Sequence, residues 1–366
     1  MKVNILSSTS FHVLPLAREL QRLGADVRFY SYLPNSYTRK AGLKEGSYVS
    51  FLWLVSPLLL IYKLSSSRSM FILKLINCIM DVCCCMFMRK SDVVIALGSV
   101  YINAFKKANK EGAITILEWG SKHIIEQRKC FGISASQNRG LLKRELQSYE
   151  IVNYISIASM QVADSFTMHG INRQKLIINP YGVDLIAFPP TQLSDDEQFD
   201  LITVGGWRYE KGSDLLCELC KKYGYSLLHV GKIVNMPFPE IGNMKHVDSV
   251  PQSELTYFYS KAKVFVLPSR ADGFGLVLCQ AVSSGLPIVC SKETGGRDLR
   301  ELIDDKQWII EMEELTVEEL KVCVDTALVL AHTQIGVRNY TDKENLTWRK
   351  YGERYFSNLK NISNCT

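Results

Sequence analysis

The chain has 366 residues, of which 47% are apolar and 22% are charged. At about 150 residues per domain, this length predicts two domains, and the composition excludes disordered and collagen-like proteins. The net charge of +6 is unevenly divided, because residues 1–190 hold 23 Lys and Arg against 12 Asp and Glu, and residues 191–366 hold 20 against 25. Two halves of opposite charge predict two domains with different partners, one of them anionic.

The amino-terminal residues contain too short an apolar run for the core of a signal peptide, so we expect a cytoplasmic protein with reduced thiols. The C-x-x-C pair Cys217 and Cys220 lies in a predicted helix. No second Cys or His pair stands at zinc-ligand spacing, which predicts structural cysteines and no metal site.

Two apolar stretches in the first half resemble membrane spans. Residues 48–62 contain Pro57 and are too short to span, and residues 70–88 contain Lys74 and Asp81. We expect a buried or interface-lying helix pair here rather than two spanning helices.

Short apolar runs alternate with amphipathic segments along both halves, which predicts an α/β protein with parallel sheets covered on both faces. A linker is predicted at Phe188-Pro189-Pro190 and the polar residues 191–198, separating domains 1–188 and 189–340. Each is expected to be Rossmann-like and doubly wound, with a cleft between them. The predicted strands are Val3–Leu6, Val27–Tyr30, Val93–Ala96, Ile114–Leu117, Tyr154–Ile157, Leu201–Val204, Ser226–Val230, Val264–Leu267 and Ile288–Cys290.

Loops at the carboxyl ends of such strands bind ligands. The loop after Leu201–Val204 contains Gly205, Gly206, Arg208 and Lys211 and precedes a predicted helix. Glycines allow close backbone approach, and two cations beside a helix start suit a diphosphate. The alternative is a glycine-rich turn with solvated basic side chains.

A second loop, at residues 268–275, runs from a predicted strand end into another helix. Its backbone amides at the helix start suit an anion, Asp272 can reach sugar hydroxyls, and Gln280 can reach a ribose. The residues predicted to bind the ligand here are Gly273, Phe274, Gly275, Leu276 and Gln280.

These two loops, together with Asn179–Asp184 (NPYGVD), resemble the motifs of the retaining glycosyltransferases of family 4, which have the GT-B fold. The three segments are similar to the family's N-x-x-G-V-D, G-x…K-G and E-x7-E motifs, in the family's order. The chain departs from the pattern at Asp272 and Gln280, where two acidic residues are usual. It also has Gly206 in place of the usual arginine, with Arg208 two positions later.

In the first half, residues 117–124 (LEWGSKHI) resemble the family segment that carries a cleft histidine, so His123 is a candidate catalytic residue or an ordinary loop histidine. Glu118 orients Lys122 or His123, or is only a strand-end carboxylate. Residues 7–10 (SSTS) replace a glycine pair, and Ser10 and His12 are candidates for the acceptor side or ordinary loop residues.

The resemblance implies a sugar transferred from a UDP- or GDP-sugar on the second domain to a glycan or lipid-linked acceptor on the first. It implies retention of configuration, a role in surface polysaccharide synthesis, and a terminal helix in residues 341–366 that crosses back to the first domain. No metal is expected if cations stabilise the leaving diphosphate. The predicted catalytic residues are His123, Arg208, Lys211 and Asp272.

Three alternatives stay open at this point. The chain is either a transferase, a nucleotide-sugar-binding protein that has lost catalysis, or an epimerase that needs no acceptor. The basic first half and the apolar residues 48–88 suit peripheral contact with an anionic membrane, at the inner face of the plasma membrane, as well as a fully soluble enzyme. No nucleic-acid partner is expected, because the basic residues are scattered without an aromatic platform.

Overall fold

The computed structural model describes residues 1–65, 69–133 and 137–364. It contains two fully parallel sheets, one of seven strands in the order β3-β2-β1-β4-β5-β6-β7 and one of six in the order β10-β9-β8-β11-β12-β13. The first is built from β1 (Lys2–Leu6), β2 (Asp26–Ser31), β3 (Tyr48–Ser50), β4 (Val93–Leu97), β5 (Ile114–Glu118), β6 (Tyr154–Ile157) and β7 (Leu176–Ile178). The second is built from β8 (Phe199–Val204), β9 (Leu227–Val230), β10 (Met244–Val247), β11 (Ala262–Leu267), β12 (Ile288–Ser291) and β13 (Ile309–Met312).

Helices connect the strands and pack on the sheets. In the first half they are α1 (Val13–Arg22), α2 (Asn35–Lys40), α3 (Leu52–Leu64), α4 (Met70–Phe87), α5 (Ile102–Lys110), α6 (Ile124–Cys130), α7 (Arg139–Ile151) and α8 (Met160–Thr167). In the second half they are α9 (Ser213–Tyr223), α10 (Leu255–Ser260), α11 (Leu276–Ser283), α12 (Gly296–Arg300), α13 (Val317–His332) and the terminal α14 (Trp348–Asn364).

The predicted α/β class with two parallel sheets is confirmed. All nine strands predicted from the sequence are present, and they are the interior strands of the two sheets. The four strands that the sequence did not predict, β3, β7, β10 and β13, are the edge strands, with three or four residues each. An edge strand pairs on one side only and is often short, so its apolar pattern is weak.

Each sheet has a central strand from which the chain winds in both directions. In the first sheet the strand order reverses at β1, which pairs with β2 and β4. In the second sheet it reverses at β8, which pairs with β9 and β11. In such sheets the loops at the carboxyl ends beside the change of direction form the ligand site.

The apolar stretch after β2 forms β3 and the helix pair α3 and α4. Helix α4 lies against α5, where the buried Asp81 carboxylate accepts hydrogen bonds at 3.1 Å from the backbone amides of Asn103 and Ala104. Asp81 therefore caps the start of α5 from a neighbouring helix, and this fixes α4 to the first domain.

Helix α14 lies against the first domain. Gly352 packs so closely on α1 that an added Cβ would lie 2.3 Å from the Cβ of Glu19. Beside it, Arg22 Nη2 is 3.1 Å from Glu353 Oε1. The chain thus leaves the second domain and returns to the first.

Polar contacts join the two domains at the start of α8. The Ser159 hydroxyl donates to the Gly273 carbonyl at 2.6 Å, and Gln161 Nε2 donates to the Asp272 carbonyl at 2.5 Å. Next to them, the Met160 amide donates to Oδ1 of the buried Asp298 at 2.9 Å. Burial raises the pKa of Asp298 to about 6.

We expect Asp298→Asn to flatten the pH dependence of stability. Because the folded-state pKa lies above the ordinary value of 3.8, the contribution of Asp298 is fully present below pH 3.8 and is lost as pH rises through 6. The native protein should lose about 2 kcal/mol of unfolding free energy from this residue between pH 4 and pH 7. Urea unfolding across this range measures the loss, with Asp195→Asn on the exposed linker as control. Parallel pH profiles of the native protein and Asp298→Asn would contradict the assignment.

Candidate active site

A cavity of about 260 Å³ lies where the carboxyl ends of the two sheets face each other. The first domain contributes Gly120, Ser121 and Lys122, which follow β5. The second contributes the loop after β8 and the loop after β11. The residues from these two loops are Arg208, Glu210, Lys211, Ala271, Asp272 and Gly273.

Three of the four predicted catalytic residues line this cavity. Lys211 Nζ forms an ion pair with the Asp272 carboxylate, so the two side chains of opposite charge hold each other. The Lys122 ammonium pairs across the domain interface with Glu293. The cavity therefore contains cations from both domains.

Arg208 compensates for the glycine at position 206. An added Cβ on Gly206 would lie 2.8 Å from both Nε and Nη2 of Arg208, so the guanidinium occupies the space of a side chain at position 206. Its Nε is buried and has no hydrogen-bond partner within the described ranges. The arginine is thus displaced in sequence and still placed beside the glycine loop.

The start of α11 presents free backbone donors directly after the cavity-lining Gly273. The amides of Gly275, Leu276 and Val277 have no acceptor among residues 1–65, 69–133 and 137–364. The Phe274 amide, by contrast, donates to Asp272 Oδ1 at 3.4 Å. Of Phe274, Gly275 and Leu276, which the sequence predicted to bind the ligand, the last two therefore keep an amide available to an anion, although none of the three lines either cavity.

A second cavity, of about 280 Å³, adjoins the first through Arg208, which lines both. It is lined by Gly205 and Gly206 on one side and by Gly231 and Lys232, after β9, on the other. The two loops touch, because an added Cβ on Gly231, at φ +149°, would lie 1.8 Å from the Gly205 carbonyl oxygen. Only glycine allows this approach.

The sequence did not indicate His229, which supports that loop contact. The side chain is buried at the end of β9, and its Nε2 lies 2.9 Å from the Gly205 carbonyl oxygen. Burial lowers the pKa of His229 to about 4, so the ring is neutral and Nε2 can donate to that oxygen. Loops at the carboxyl ends of parallel strands bind ligands, and this expectation applied to β9 would have indicated Gly231 and Lys232. His229 lies within the strand, and no sequence pattern distinguishes it.

The structure does not place His123 in the cavity. Its ring is 2% exposed and lies inside the first domain, stacked on His169 with ring centroids 4.4 Å apart and packed against Tyr149 and Phe166. Burial lowers its pKa to about 4. Its Nδ1 accepts from the Ile125 amide at 3.4 Å, so the residue caps α6 and stabilises the fold.

The residues predicted for the acceptor side are mostly inaccessible. His12 Nε2 and Glu118 Oε2 are 2.7 Å apart, and both side chains are buried. Glu118 Oε1 also accepts from the Tyr355 hydroxyl at 2.5 Å, so Glu118 contacts neither Lys122 nor His123 in the way the sequence suggested. Ser10 is half-buried and lines neither cavity.

Gln280 is also held away from both cavities. It is 9% exposed, and its Oε1 accepts from the Tyr259 hydroxyl at 3.2 Å inside the second domain. The Gln280 amide oxygen is thus already bonded to Tyr259, and its contact with a ribose stays a prediction. Within the described ranges no group of three or more His, Cys, Asp or Glu side chains has the geometry of a metal site.

Comparison with known proteins shows a family that the second domain resembles. Residues 187–328, which include β8 to β13, match the glycosyl transferases group 1 family. The chain is 41% identical over 64 residues to the O-antigen chain mannosyltransferase B of Escherichia coli, a match that covers 18% of this chain and 16% of that protein. It is 24% identical over 268 residues to an uncharacterized glycosyltransferase of Haemophilus influenzae, covering 68% and 72% of the two chains.

Solved structures with the same fold cover the whole chain. The lipopolysaccharide outer core galactosyltransferase WaaB matches at a TM-score of 0.61 with 13% identity, over 99% of this chain and 100% of the other. Anabaena HepE in complex with UDP and glucose matches at 0.63 with 11% identity, over 98% and 99%. The fold is GT-B, and the resemblance to group 1 glycosyltransferases is confirmed, while membership of family 4 stays a prediction.

We expect Gly273→Ala to separate the domains. An added Cβ at this position would lie 1.8 Å from the Gly120 carbonyl oxygen. Because that oxygen belongs to the backbone of the other domain, the clash cannot be relieved by a side-chain rotation. Such overpacking costs about 1–3 kcal/mol, which opening of the cleft relieves. Small-angle X-ray scattering should show a larger radius of gyration with unchanged circular dichroism.

The matched control is Gly242→Ala, because no atom lies within 4 Å of the added methyl group. An unchanged radius of gyration for Gly273→Ala would show that the Gly120–Gly273 contact does not hold the domains together.

Proposed function

We propose that the protein transfers a glycosyl group from a nucleotide-diphosphate sugar to an acceptor, with retention of configuration. The observation that carries this proposal is the cavity between the domains, which Arg208 and Lys211 line together with Gly273, two residues before the free amides at the start of α11. Cations and helix-start amides together suit a diphosphate.

The two adjoining cavities suggest how such a donor lies. The nucleoside occupies the cavity between Gly205 and Gly231, and the diphosphate lies near Arg208, which lines both cavities. The sugar then enters the cavity against Gly120 and Lys122 of the first domain. The bond from the anomeric carbon to the diphosphate is thereby placed at the domain interface.

Bond breakage leaves extra negative charge on the diphosphate. Arg208, Lys211 and the α11 amides stabilise this charge electrostatically, so the proposal requires no metal ion. Asp272 pairs with Lys211, and a bound diphosphate would compete for that ammonium group. The carboxylate released from Lys211 is then free to accept hydrogen bonds from sugar hydroxyls.

Closure of the domains excludes water from the anomeric carbon. The Gly120–Gly273 contact and the bonds of Ser159 and Gln161 hold the first domain against the donor loop. A closed cleft favours transfer to the acceptor over hydrolysis. Attack from the face that the diphosphate leaves would retain the configuration.

The acceptor class is proposed from the relatives. An O-antigen mannosyltransferase, a lipopolysaccharide galactosyltransferase and a protein encoded in a Klebsiella pneumoniae cps region are among them. We propose a glycan or lipid-linked glycan acceptor in surface polysaccharide synthesis in the cytoplasm, with a UDP- or GDP-hexose as donor. A panel of UDP- and GDP-sugars with such acceptors, followed by NMR of the new glycosidic bond, tests both the donor and retention.

Lys211→Ala and Arg208→Ala should each lower kcat by about 10²–10³-fold, because each removes a cation that stabilises the leaving diphosphate. Initial rates with the best donor and acceptor measure the effect. Lys245→Ala is the matched control, since Lys245 pairs with Glu197 on the surface outside both cavities. Unchanged turnover in Lys211→Ala with intact circular dichroism would refute the proposed role.

A second candidate is a nucleotide-sugar-binding protein without transferase activity. The buried position of Gln280, away from both cavities, favours it, because the donor loses one predicted contact. Thermal protection by a nucleotide sugar with no product across the acceptor panel would support this candidate. Release of an isomerised free sugar without acceptor would instead indicate an epimerase.

A further inference from the structure

The helices α3 and α4 expose a large apolar surface. Of the 13 residues of α3, only Val55 is buried, although the sequence LWLVSPLLLIYKL is almost entirely apolar. Side-chain exposure reaches 73% for Trp53, 76% for Leu64 and 74% for Phe71. We define the α3–α4 surface by Trp53, Leu60, Leu64, Met70, Phe71 and Met86, all of them exposed. Apolar patches of this kind on a soluble protein mark an interaction site.

The sequence that forms this surface carries mostly positive charge. Residues 47–91 contain five Lys and Arg and a single acidic residue, Asp81. Asp81 is buried against α5, so it presents no negative charge to the solvent. Lys63 on α3 and Lys74 on α4 are exposed. Apolar side chains flanked by lysines are complementary to a lipid surface with anionic headgroups.

Helix α4 has the length and the apolar composition of a membrane-spanning helix. Its other face, however, is buried in the first domain through Ile76, Met80 and Cys84. The Asp81 bonds to α5 and the bond from Lys107 Nζ to the Cys85 carbonyl, at 2.8 Å, hold it there. Spanning would break these contacts and place Asp81 in hydrocarbon, so the helix can only lie along the membrane surface.

One end of the α3–α4 surface lies toward the carboxyl edge of the first sheet. Asp81 marks the start of α5, which follows β4 and so lies at the carboxyl edge of the first sheet. Met70 precedes Asp81 by 11 residues, so the Met70 end of α4 lies about 16 Å from Asp81 along the helix axis. Gly120 and Lys122, which line the cavity, follow β5 at this same edge.

We infer that the α3–α4 surface docks the protein onto a lipid bilayer that contains anionic lipids, with both helices in the plane of the interface. The apolar side chains enter the headgroup boundary, and Lys63 and Lys74 contact anionic headgroups. This inference is independent of the transferase activity, and its test needs no donor or acceptor.

Co-sedimentation with vesicles of phosphatidylcholine, with and without about one third phosphatidylglycerol, tests it on the full chain. We expect binding to the anionic vesicles that weakens as salt is raised. The triple variant Trp53→Ser, Leu64→Ser, Phe71→Ser should bind at least about tenfold more weakly, since three large apolar groups no longer leave water. Lys63→Gln with Lys74→Gln should reduce the preference for anionic vesicles.

The matched control is Val322→Ser, Val329→Ser, Ile335→Ser, which removes three exposed apolar side chains from the second domain. It should bind vesicles like the unmodified protein. Both triple variants replace exposed residues, and circular dichroism checks that each is folded.

Absence of vesicle binding, or equal loss in both triple variants, would overturn the inference. A concentration-dependent dimer in analytical ultracentrifugation that only the α3–α4 triple abolishes, without vesicle binding, would show that a second copy covers the surface. Resistance of the membrane-bound protein to alkaline carbonate extraction would show a spanning helix instead.

Discussion

The buried carboxylate of Glu118 joins three separate parts of the chain, and it connects the terminal helix to the strand end that leads into the cavity. Glu118 ends β5, and its two oxygens contact His12 at the start of α1 and Tyr355 on the terminal helix. A buried carboxylate is stable only with such partners, and loss of one costs about 3–5 kcal/mol. Tyr181, three residues after the end of β7, packs on the His12 ring with centroids 4.4 Å apart. The return of α14 is therefore coupled to the end of β5, from which the cavity loop Gly120–Lys122 begins.

The interior of the fold was predictable from the sequence because interior parallel strands are buried on both faces. A strand such as Val93–Leu97 is nearly continuous in apolar residues, and that pattern is readable without any knowledge of its neighbours. The edge strands need not be buried on both faces. Tyr48–Ser50 is an example, because it has three residues and all of them are half-buried. The missed strands thus share a physical cause, which is pairing on one side only.

The predictions for the candidate site differ in a similar way between the backbone and the side chains. Positions defined by the backbone, such as Gly205, Gly273 and the start of α11, follow from the strand–loop–helix order and were predictable. Side-chain directions were not, because they depend on what packs around each loop: His123 turns into a cluster of aromatic rings, and Gln280 turns toward Tyr259. Gln280 is held by Tyr259, which lies 21 residues away, and His123 combines a local cap of α6 with rings from α7 and α8.

Arg208 shows that a departure from a motif can leave the local electrostatics intact. The guanidinium fills the space that a side chain at position 206 would need, so glycine at 206 and arginine at 208 are compatible as a pair. Because the cations of the donor loops are this local, they do not account for the charge of the first half of the chain, +11 in residues 1–190. Of the cavity residues, that half contributes one cation, Lys122, which is paired with Glu293. The excess positive charge therefore lies outside the cleft, which agrees with the anionic bilayer proposed as the partner of the α3–α4 surface.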